Sequence, residues 1–192
     1  MVYSRKVDDK TYTFGVSGRL YKSNVLLYDH QTESLWSQLK EMAVSGPLAV
    51  KKLQKFPSRR ATWKTWQSEN PDTTVLSRDT GYNRDYAVDP YEGYYRALGF
   101  WFPIGDVRTD LSAKEMILGI EVEGKAKAYP LSLLRIKTGV LKDKLGNRTI
   151  EVEVSQDGEV RGVRDERGQV VPSIFSYWFA WQAFHPDTLV YR

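Results

Sequence analysis

Apolar and polar residues alternate with a period of two through most of this chain. The alternation falls in short runs rich in β-branched and aromatic residues, which are Thr11–Ser17, Asn24–Tyr28, Ile117–Glu123, Lys125–Tyr129, Thr149–Val154 and Glu159–Val163. Turn-forming pairs such as Gly146-Asn147 separate the runs. Successive side chains of a strand point to opposite faces, so this period indicates strands with one buried face. The pattern predicts a meander of antiparallel strands.

One motif, W-x-x-W-Q-x-x-x-P-D-T-x-V, occurs twice and breaks the alternation. Its copies span residues 63–75 and 178–190. The two tryptophans of each copy are three residues apart, so they lie on one face of a helix, which we predict to be buried. Thr62 and Ser173 are the predicted N-caps of these helices, because a hydroxyl side chain can accept a hydrogen bond from the first turn.

The proline of each copy ends the predicted helix, since the residue before a proline is pushed out of the α region. Asp72 and Asp187 follow the prolines, and their carboxylates are predicted to accept hydrogen bonds from nearby backbone amides, as in an Asx turn. A closing strand is then predicted in each copy, at Thr74–Leu76 and at Leu189–Tyr191.

Weaker similarity upstream of both copies indicates a duplication of a larger unit. Thr11–Ser17 resembles Thr149–Ser155, and Val25–Asp29 resembles Val160–Asp165. We therefore predict an α+β protein dominated by strands, made of two related antiparallel half-domains that each carry a short tryptophan-rich helix. The predicted half-domains are residues 1–77 and 100–192.

The connecting segment, residues 78–99, has no apolar period but is rich in aromatic residues. Its tyrosines are Tyr82, Tyr86, Tyr91, Tyr94 and Tyr95, and the carboxylates between them are Asp85, Asp89 and Glu92. Flexible linkers are rich in glycine and serine rather than tyrosine, so an ordered surface loop is predicted here.

Several of these motifs resemble a known family. They are Phe14–Gly18, Tyr21–Asp29, Glu33–Gln38, Lys125–Pro130 and both tryptophan motifs. Together they resemble the bacterial and archaeal family catalogued as domain of unknown function 3179, over essentially the whole chain. The resemblance implies that a segment like residues 117–140 and a Cys-Pro-x-Cys-Gly stretch usually precede the equivalent of Val2, so this chain looks like a member that begins late. The resemblance implies an architecture and no activity.

The composition removes several classes of site. No cysteine is present, which excludes disulfides, thiolate zinc sites, iron–sulfur clusters and cysteine nucleophiles. The only histidines are His30 and His185, which excludes a site that needs three imidazoles. No stretch approaches the roughly 20 apolar residues of a membrane span, and Met1–Lys10 has no targeting character. We predict a soluble globular chain without a membrane partner, and the sequence does not indicate its compartment.

Charge gives little indication of a macromolecular partner. The net charge is +4, from 28 basic and 24 acidic residues, which predicts no nucleic-acid binding without a clustered patch. The one basic cluster lies within residues 51–64, where Phe56 and Trp63 are expected to face the core, so nucleic acid is not a predicted partner. Val2 and Tyr3 are predicted to form a strand without an in-chain partner, and such an edge favours a homo-oligomer.

The carboxylates Asp85, Asp89 and Glu92 allow three interpretations. They could bind a hard cation such as Ca²⁺ or Mg²⁺, supply acid and base groups for catalysis, or form a solvated acidic rim. The sequence indicates no other cofactor. His185 stands where the first copy of the motif has Asn70, so it is either a packing or capping residue or a general base partnered by Asp85 or Asp89. His30 is the alternative base.

Two functions follow from these residues. The first is a binding or scaffold module in which Tyr82, Tyr86, Tyr91 and Tyr94, together with the groove between the half-domains, hold a small polar or aromatic molecule. The alternative is a hydrolase of an ester, lactone or related acyl substrate, acting with or without a divalent cation. The hydrolase requires that His185 and the carboxylates of the connecting segment lie within about one hydrogen bond or one water of each other.

Overall fold

The computed structural model describes residues 1–97 and 99–192. Over these residues the protein has fifteen strands in five sheets and four short helices, so the predicted β-dominated α+β class is confirmed. Within the described ranges, none of the helices is long and apolar enough to cross a membrane.

The strands of the first half are short and antiparallel. They are β1 (Val2–Tyr3), β2 (Lys6–Val7), β3 (Lys10–Thr11), β4 (Phe14–Tyr21), β5 (Asn24–Asp29), β6 (Leu35–Ser37), β7 (Met42–Ser45) and β8 (Lys55–Phe56). Strands β4 to β7 form a four-stranded meander, while β2 pairs with β3. Trp36 lies at the centre of the small core beneath the meander and is fully buried. The run predicted at Thr11–Ser17 is divided between β3 and β4.

Strand β1 pairs with β8, which corrects the expectation for the N-terminal residues. Val2 lies opposite Phe56, and Tyr3 lies opposite Lys55. The Tyr3 hydroxyl also donates to the backbone oxygen of Gln38 at 2.5 Å. The premise that Val2 and Tyr3 lack an in-chain partner is therefore wrong, and a homo-oligomer stays a prediction that this pairing does not support.

The second half contains two sheets. Its strands are β9 (Met116–Val122), β10 (Lys125–Pro130), β11 (Gly139–Leu145), β12 (Arg148–Val154), β13 (Val160–Asp165), β14 (Ser173–Tyr177) and β15 (Leu189–Val190). One sheet has the order β14-β9-β10-β15, with β15 parallel to β10, and the other is the meander β11-β12-β13. The apolar faces of β9, β10 and β12 meet in the largest core of the protein.

The helices are α1 (Trp63–Glu69), α2 (Glu92–Arg96), α3 (Leu131–Leu134) and α4 (Trp178–Phe184). Both tryptophan motifs therefore form helices of seven residues, as predicted. Thr62 caps α1 and accepts a hydrogen bond from the backbone N–H of Thr65. Ser173 is not the cap of α4, because it begins β14 and Tyr177 stands at the cap position.

The two motifs also share the turn that follows each helix. The indole N–H of Trp66 donates to Thr73 Oγ1 at 3.1 Å, and that of Trp181 donates to Thr188 Oγ1 at 2.9 Å. The backbone N–H of each threonine closes the turn on the carbonyl of Asn70 or His185. Asp72 and Asp187 were predicted to stabilise this turn by accepting hydrogen bonds. The hydrogen bonds that stabilise it are made by Thr73 and Thr188 instead.

The two helices differ in their surroundings. Helix α4 lies on the sheet formed by β9, β10 and β14, and Trp181 is only 1% exposed there. A Cβ atom on Gly119 of β9 would stand 2.5 Å from the Trp181 ring, so the glycine makes room for the indole. Trp66 is 40% exposed, and α1 contains no buried residue. The predicted burial of the first helix is therefore wrong.

Polar contacts hold α1 in position, whereas α4 packs against a sheet. Glu69 forms ion pairs with Arg59 and with Arg161 of β13, and Glu159 accepts a hydrogen bond from the backbone N–H of Thr62 at 2.9 Å. The predicted closing strand Thr74–Leu76 is not formed, whereas its counterpart in the second half is β15. A strand needs a neighbour to pair with, and β10 supplies one only in the second half.

Candidate functional site

A cavity of about 820 Å³ lies between the two halves of the chain and the connecting segment. The first half contributes the end of β4 and the start of β5, including Leu20 and Asn24. The second half contributes β14 and the start of α4. Most of the remaining wall is aromatic, and its members include Tyr91, Tyr94, Phe100, Trp101, Phe102 and Tyr177.

The connecting segment contains helix α2, whereas the sequence pattern predicted an ordered loop without a helix. Lys114 holds this helix against the second half: its ammonium donates to the backbone oxygens of Tyr94 at 2.7 Å and Ala97 at 2.6 Å. The same ammonium lies 3.9 Å from the centre of the Tyr94 ring. A cation at the C-terminal end of a helix satisfies carbonyls that lack partners within the helix. This contact positions the tyrosines of α2 at the cavity.

The rings at the cavity contact one another, two pairs edge to face and one pair tilted. Tyr94 and Trp101 have centroids 5.1 Å apart with planes at 61°, and Tyr91 lies 5.7 Å from Trp101. Phe100 contacts Phe179 of α4 at 4.9 Å. Such pairs add modest stability and fix the ring orientations. The result is a wall of apolar faces and edges whose outer rings remain open, since Trp101 is 55% exposed.

Apart from the tyrosines, the polar side chains in the cavity wall are Ser23, Asn24, Arg60, Arg135 and Ser176. The amide oxygen of Asn24 is buried and has no hydrogen-bond partner among the described residues. Arg60 and Arg135 both line the cavity near Phe175, and the Arg60 guanidinium lies 5.7 Å from the centre of that ring. No carboxylate occurs among the described residues that line the cavity.

The four tyrosines proposed as ligand contacts divide into two pairs. Tyr91 and Tyr94 line the cavity. Tyr82 is 74% exposed and Tyr86 shares a hydrogen bond of 2.7 Å with the Thr80 hydroxyl, and neither is a wall residue. Trp101 and Phe102 were missed by the sequence analysis. The run Phe100-Trp101-Phe102 directly after the connecting segment was the signal that could have identified them.

The carboxylates of the connecting segment make local contacts. Asp85 accepts a hydrogen bond from the backbone N–H of Ala87, Asp89 accepts one from Tyr91, and Glu92 forms an ion pair with Arg96. Among the residues described, no group of three or more histidine or carboxylate side chains is arranged to hold a metal ion. A Ca²⁺ or Mg²⁺ site at these residues stays a prediction from the sequence.

His185 ends α4 and stacks on Trp181, with ring centroids 3.9 Å apart. Its Nδ1 lies 3.6 Å from a carboxylate oxygen of Glu121, and its Nε2 is buried without a partner among the described residues. It lines a second cavity of about 450 Å³ together with Asp187 and the β9–β10 turn. Among the described residues, the carboxylate within 4.0 Å of its Nδ1 is thus that of Glu121, and His185 forms no hydrogen bond or ion pair with Asp85 or Asp89.

His30, the alternative base, is exposed at the turn between β5 and β6 and packs on Tyr28 at 4.8 Å between ring centroids. The segment 29–33 forms the turn of the hairpin between β5 and β6. Within it, the buried carboxylate of Asp29 accepts hydrogen bonds from Thr32 and from the indole of Trp36 rather than from an imidazole.

Burial lowers the pKa of His185 to about 4. Because the folded protein resists protonation here while the unfolded chain accepts a proton near the ordinary pKa of about 6.5, stability should fall as the pH drops from about 6.5 to about 4. His185→Asn should remove this dependence of the free energy of unfolding on pH. Asparagine fits the backbone here, since Asn70 has nearly the same backbone angles at the same position of the first motif. Urea unfolding between about pH 4.5 and 7 measures it, with His30→Asn as the control. Equal slopes for wild-type protein and His185→Asn would contradict the assignment.

Searches of curated proteins and of solved structures each find no match. The model of a family described as protein of unknown function (DUF3179) matches residues 1–188, which is nearly the whole chain. The match confirms the resemblance carried by the strand motifs and by the two tryptophan motifs. The chain therefore belongs to the DUF3179 family.

Proposed function

We propose that this protein binds a small molecule in the aromatic cavity, held between two related half-domains. The single observation that carries the proposal is the convergence of three separate parts of the chain on one concave surface. Asn24 comes from the first half, Tyr94 from the connecting segment and Tyr177 from the second half. A duplicated unit with a ligand at its inner face would account for this arrangement, and the shared helix and turn of the two tryptophan motifs favour it.

The size and lining of the cavity fit a ligand with a flat apolar part. Sites for small molecules commonly enclose about 300–1,000 Å³ and combine apolar walls with a few polar groups that fix orientation. Here the rings of Tyr94, Trp101 and Tyr177 supply the apolar contact. The polar side chains of Ser23, Asn24 and Ser176 lie in the same wall and supply the few polar groups.

The exposure of the aromatic wall supports the same proposal. Tyr91, Trp101 and Phe102 are each about half exposed, although exposing aromatic side chains to water costs free energy. Contiguous apolar surface on a folded domain commonly marks a binding site. The strands and cores of the two halves do not depend on these rings, so their positions are better explained by a ligand than by packing.

The hydrolase stays an alternative from the sequence. Its test was the approach of His185 to Asp85 or Asp89, and the contacts found for these residues lie elsewhere, at Glu121 and within the connecting segment. No specific contact favours it over the binding module.

Naphthamide, an uncharged bicyclic aromatic amide, is expected to bind this protein with one site per chain. Trp101→Ala should weaken the binding about tenfold, because one good aromatic contact contributes about 1–1.5 kcal/mol. Isothermal titration calorimetry measures both the affinity and the stoichiometry. Tyr82→Ala is the matched control, because it removes an exposed ring of the connecting segment that does not line the cavity. No binding to the wild-type protein, or equal losses in the two variants, would contradict the proposed site.

A further inference from the structure

We propose that the molecule held in the aromatic cavity is a planar aromatic oxyanion, bound through its charged group by Arg60 and Arg135. The inference rests on the proposed function, because it identifies the ligand class of the same site. Both arginines line the cavity, and no described carboxylate shares its wall, so the fixed charge along this side is positive.

The two guanidinium groups are available for a ligand. Among the described residues, neither Arg60 nor Arg135 forms a side-chain hydrogen bond or an ion pair with a carboxylate within 4.0 Å. Six arginines of the described residues do form ion pairs with carboxylates, and these are Arg59, Arg96, Arg108, Arg148, Arg161 and Arg192. An unpaired guanidinium beside a cavity leaves its fork of N–H donors for a bound anion.

The nearest acidic groups already have other partners. Asp157 and Glu159 line a smaller cavity that adjoins the two arginines. The Asp157 carboxylate accepts a hydrogen bond from Ser155, and Glu159 accepts hydrogen bonds from the backbone N–H and the hydroxyl of residues at the start of α1. Arg161 lies 3.7 Å from Glu159 and 3.9 Å from Asp157. Among the described residues, the arginine within 4.0 Å of both carboxylates is therefore Arg161, and neither carboxylate pairs with Arg60 or Arg135.

Local packing holds each arginine at the cavity. The Arg60 guanidinium lies over Phe175 of β14, an arrangement that attracts a cation to the face of the ring. The stem of Arg135, just after α3, passes Gly158 so closely that a Cβ on the glycine would stand 3.3 Å from it. Side chains held in this way lose less conformational freedom when a ligand binds.

The cavity offers one kind of contact to a charged group of the ligand and another kind to its apolar part. A guanidinium binds carboxylate and phosphate oxygens through two parallel N–H donors, a pattern that an uncharged group does not match. The rings of Tyr94 and Trp101 line the same cavity and contact the flat apolar part. Carboxylate and phosphate share the chemistry that this site recognises, and probes of both kinds distinguish them.

The test compares naphthoate and naphthyl phosphate with the uncharged naphthamide, each titrated into the same protein by calorimetry. At low ionic strength at least one anion is expected to bind about tenfold more tightly than naphthamide, which corresponds to about 1.4 kcal/mol. The double variant Arg60→Gln with Arg135→Gln should abolish this preference, so that the anions bind no more tightly than naphthamide. Both arginines are exposed, so the variants should fold, and the thermal midpoint verifies this. The tighter anion identifies the charged group.

Arg167→Gln is the control for loss of positive charge, because it removes one such charge from an exposed residue that does not line the cavity. It should retain the anion preference, and added salt should reduce that preference in the wild-type protein. If naphthamide and both anions bind equally well, the anion inference is wrong while the binding function stands. If none of the three binds, the proposed function itself is wrong. Loss of the preference in Arg167→Gln to the same extent would show that net charge, rather than the two cavity arginines, causes it.

Discussion

Trp181→Ala is expected to lower the free energy of unfolding by about 3–5 kcal/mol, whereas Trp66→Ala should lower it by about 1 kcal/mol or less. The two indoles occupy the same position of the repeated motif and donate the same hydrogen bond to a threonine seven residues later. Their difference is burial: Trp181 is 1% exposed against β9, while Trp66 is 40% exposed. The larger loss comes from removing buried ring atoms and leaving a cavity beside Gly119.

Chemical denaturation with urea, followed by far-ultraviolet circular dichroism, compares the two variants at neutral pH. The pair is its own control, because both changes remove the same side chain from the same motif. A third variant, Gly119→Ala, should also be destabilised, since its new Cβ would stand 2.5 Å from the Trp181 ring. Similar losses for Trp66→Ala and Trp181→Ala would contradict the different environments of α1 and α4.

The period of two predicted most of the strands of six or more residues, because one face of such a strand is buried. Asn24–Asp29 and Arg148–Val154 were found with bounds within a residue or two of those expected. Strand β11, Gly139–Leu145, was missed because most of its residues are exposed and carry no apolar alternation. Strand β14 was missed because it leads directly into helix α4. The apolar residues of this one segment therefore follow first the period of a strand and then the period of a helix.

The motif determined local structure, and the surroundings determined burial. Residues 63–73 and 178–188 contain what their helix and turn need, including the tryptophan and the threonine that share a hydrogen bond. Burial requires a second surface, and that surface is made by β9 and β10, which are distant from α4 in sequence. A repeated sequence therefore predicts repeated backbone geometry but not repeated packing.

The candidate site could be predicted only in part for the same reason. An aromatic segment rich in tyrosine indicated a ligand contact, and Tyr91 and Tyr94 do line the cavity. Arg60 and Arg135 stand far apart in the sequence, and no local pattern indicates that Phe175 and Gly158 bring them together. Residues that meet only through the tertiary fold have no periodic signature, so the charged side of the cavity required the structure.

Asp29→Ala is the second large effect, with an expected loss of about 3 kcal/mol in the free energy of unfolding. The carboxylate is 0% exposed. It accepts hydrogen bonds from the Trp36 indole at 2.9 Å and from the Thr32 backbone at 2.6 Å, and the Thr32 hydroxyl is also within 2.9 Å. Hydrogen bonds to a charged group contribute about 1.5–3 kcal/mol, and a buried indole N–H left without a partner costs about 1–3 kcal/mol. Both terms apply here, because alanine offers no acceptor and Trp36 stays in the core.

Acid should reproduce part of this loss. Burial alone would raise the pKa of Asp29, but the hydrogen bonds from Trp36 and Thr32 outweigh it and hold the pKa below its usual value. The stability contributed by the ionised carboxylate is present above the unfolded pKa of about 3.9 and is lost as the pH falls through the lower folded value. The free energy of unfolding of Asp29→Asn should therefore decline less steeply below about pH 4 than that of the wild-type protein.

Urea unfolding measures both Asp29 variants, with Asp9→Ala as the control. Asp9 is fully exposed, and its ion pair is with Lys6 at 4.0 Å. A loss for Asp29→Ala no larger than that for Asp9→Ala would show that the Asp29 carboxylate does not organise the core around Trp36.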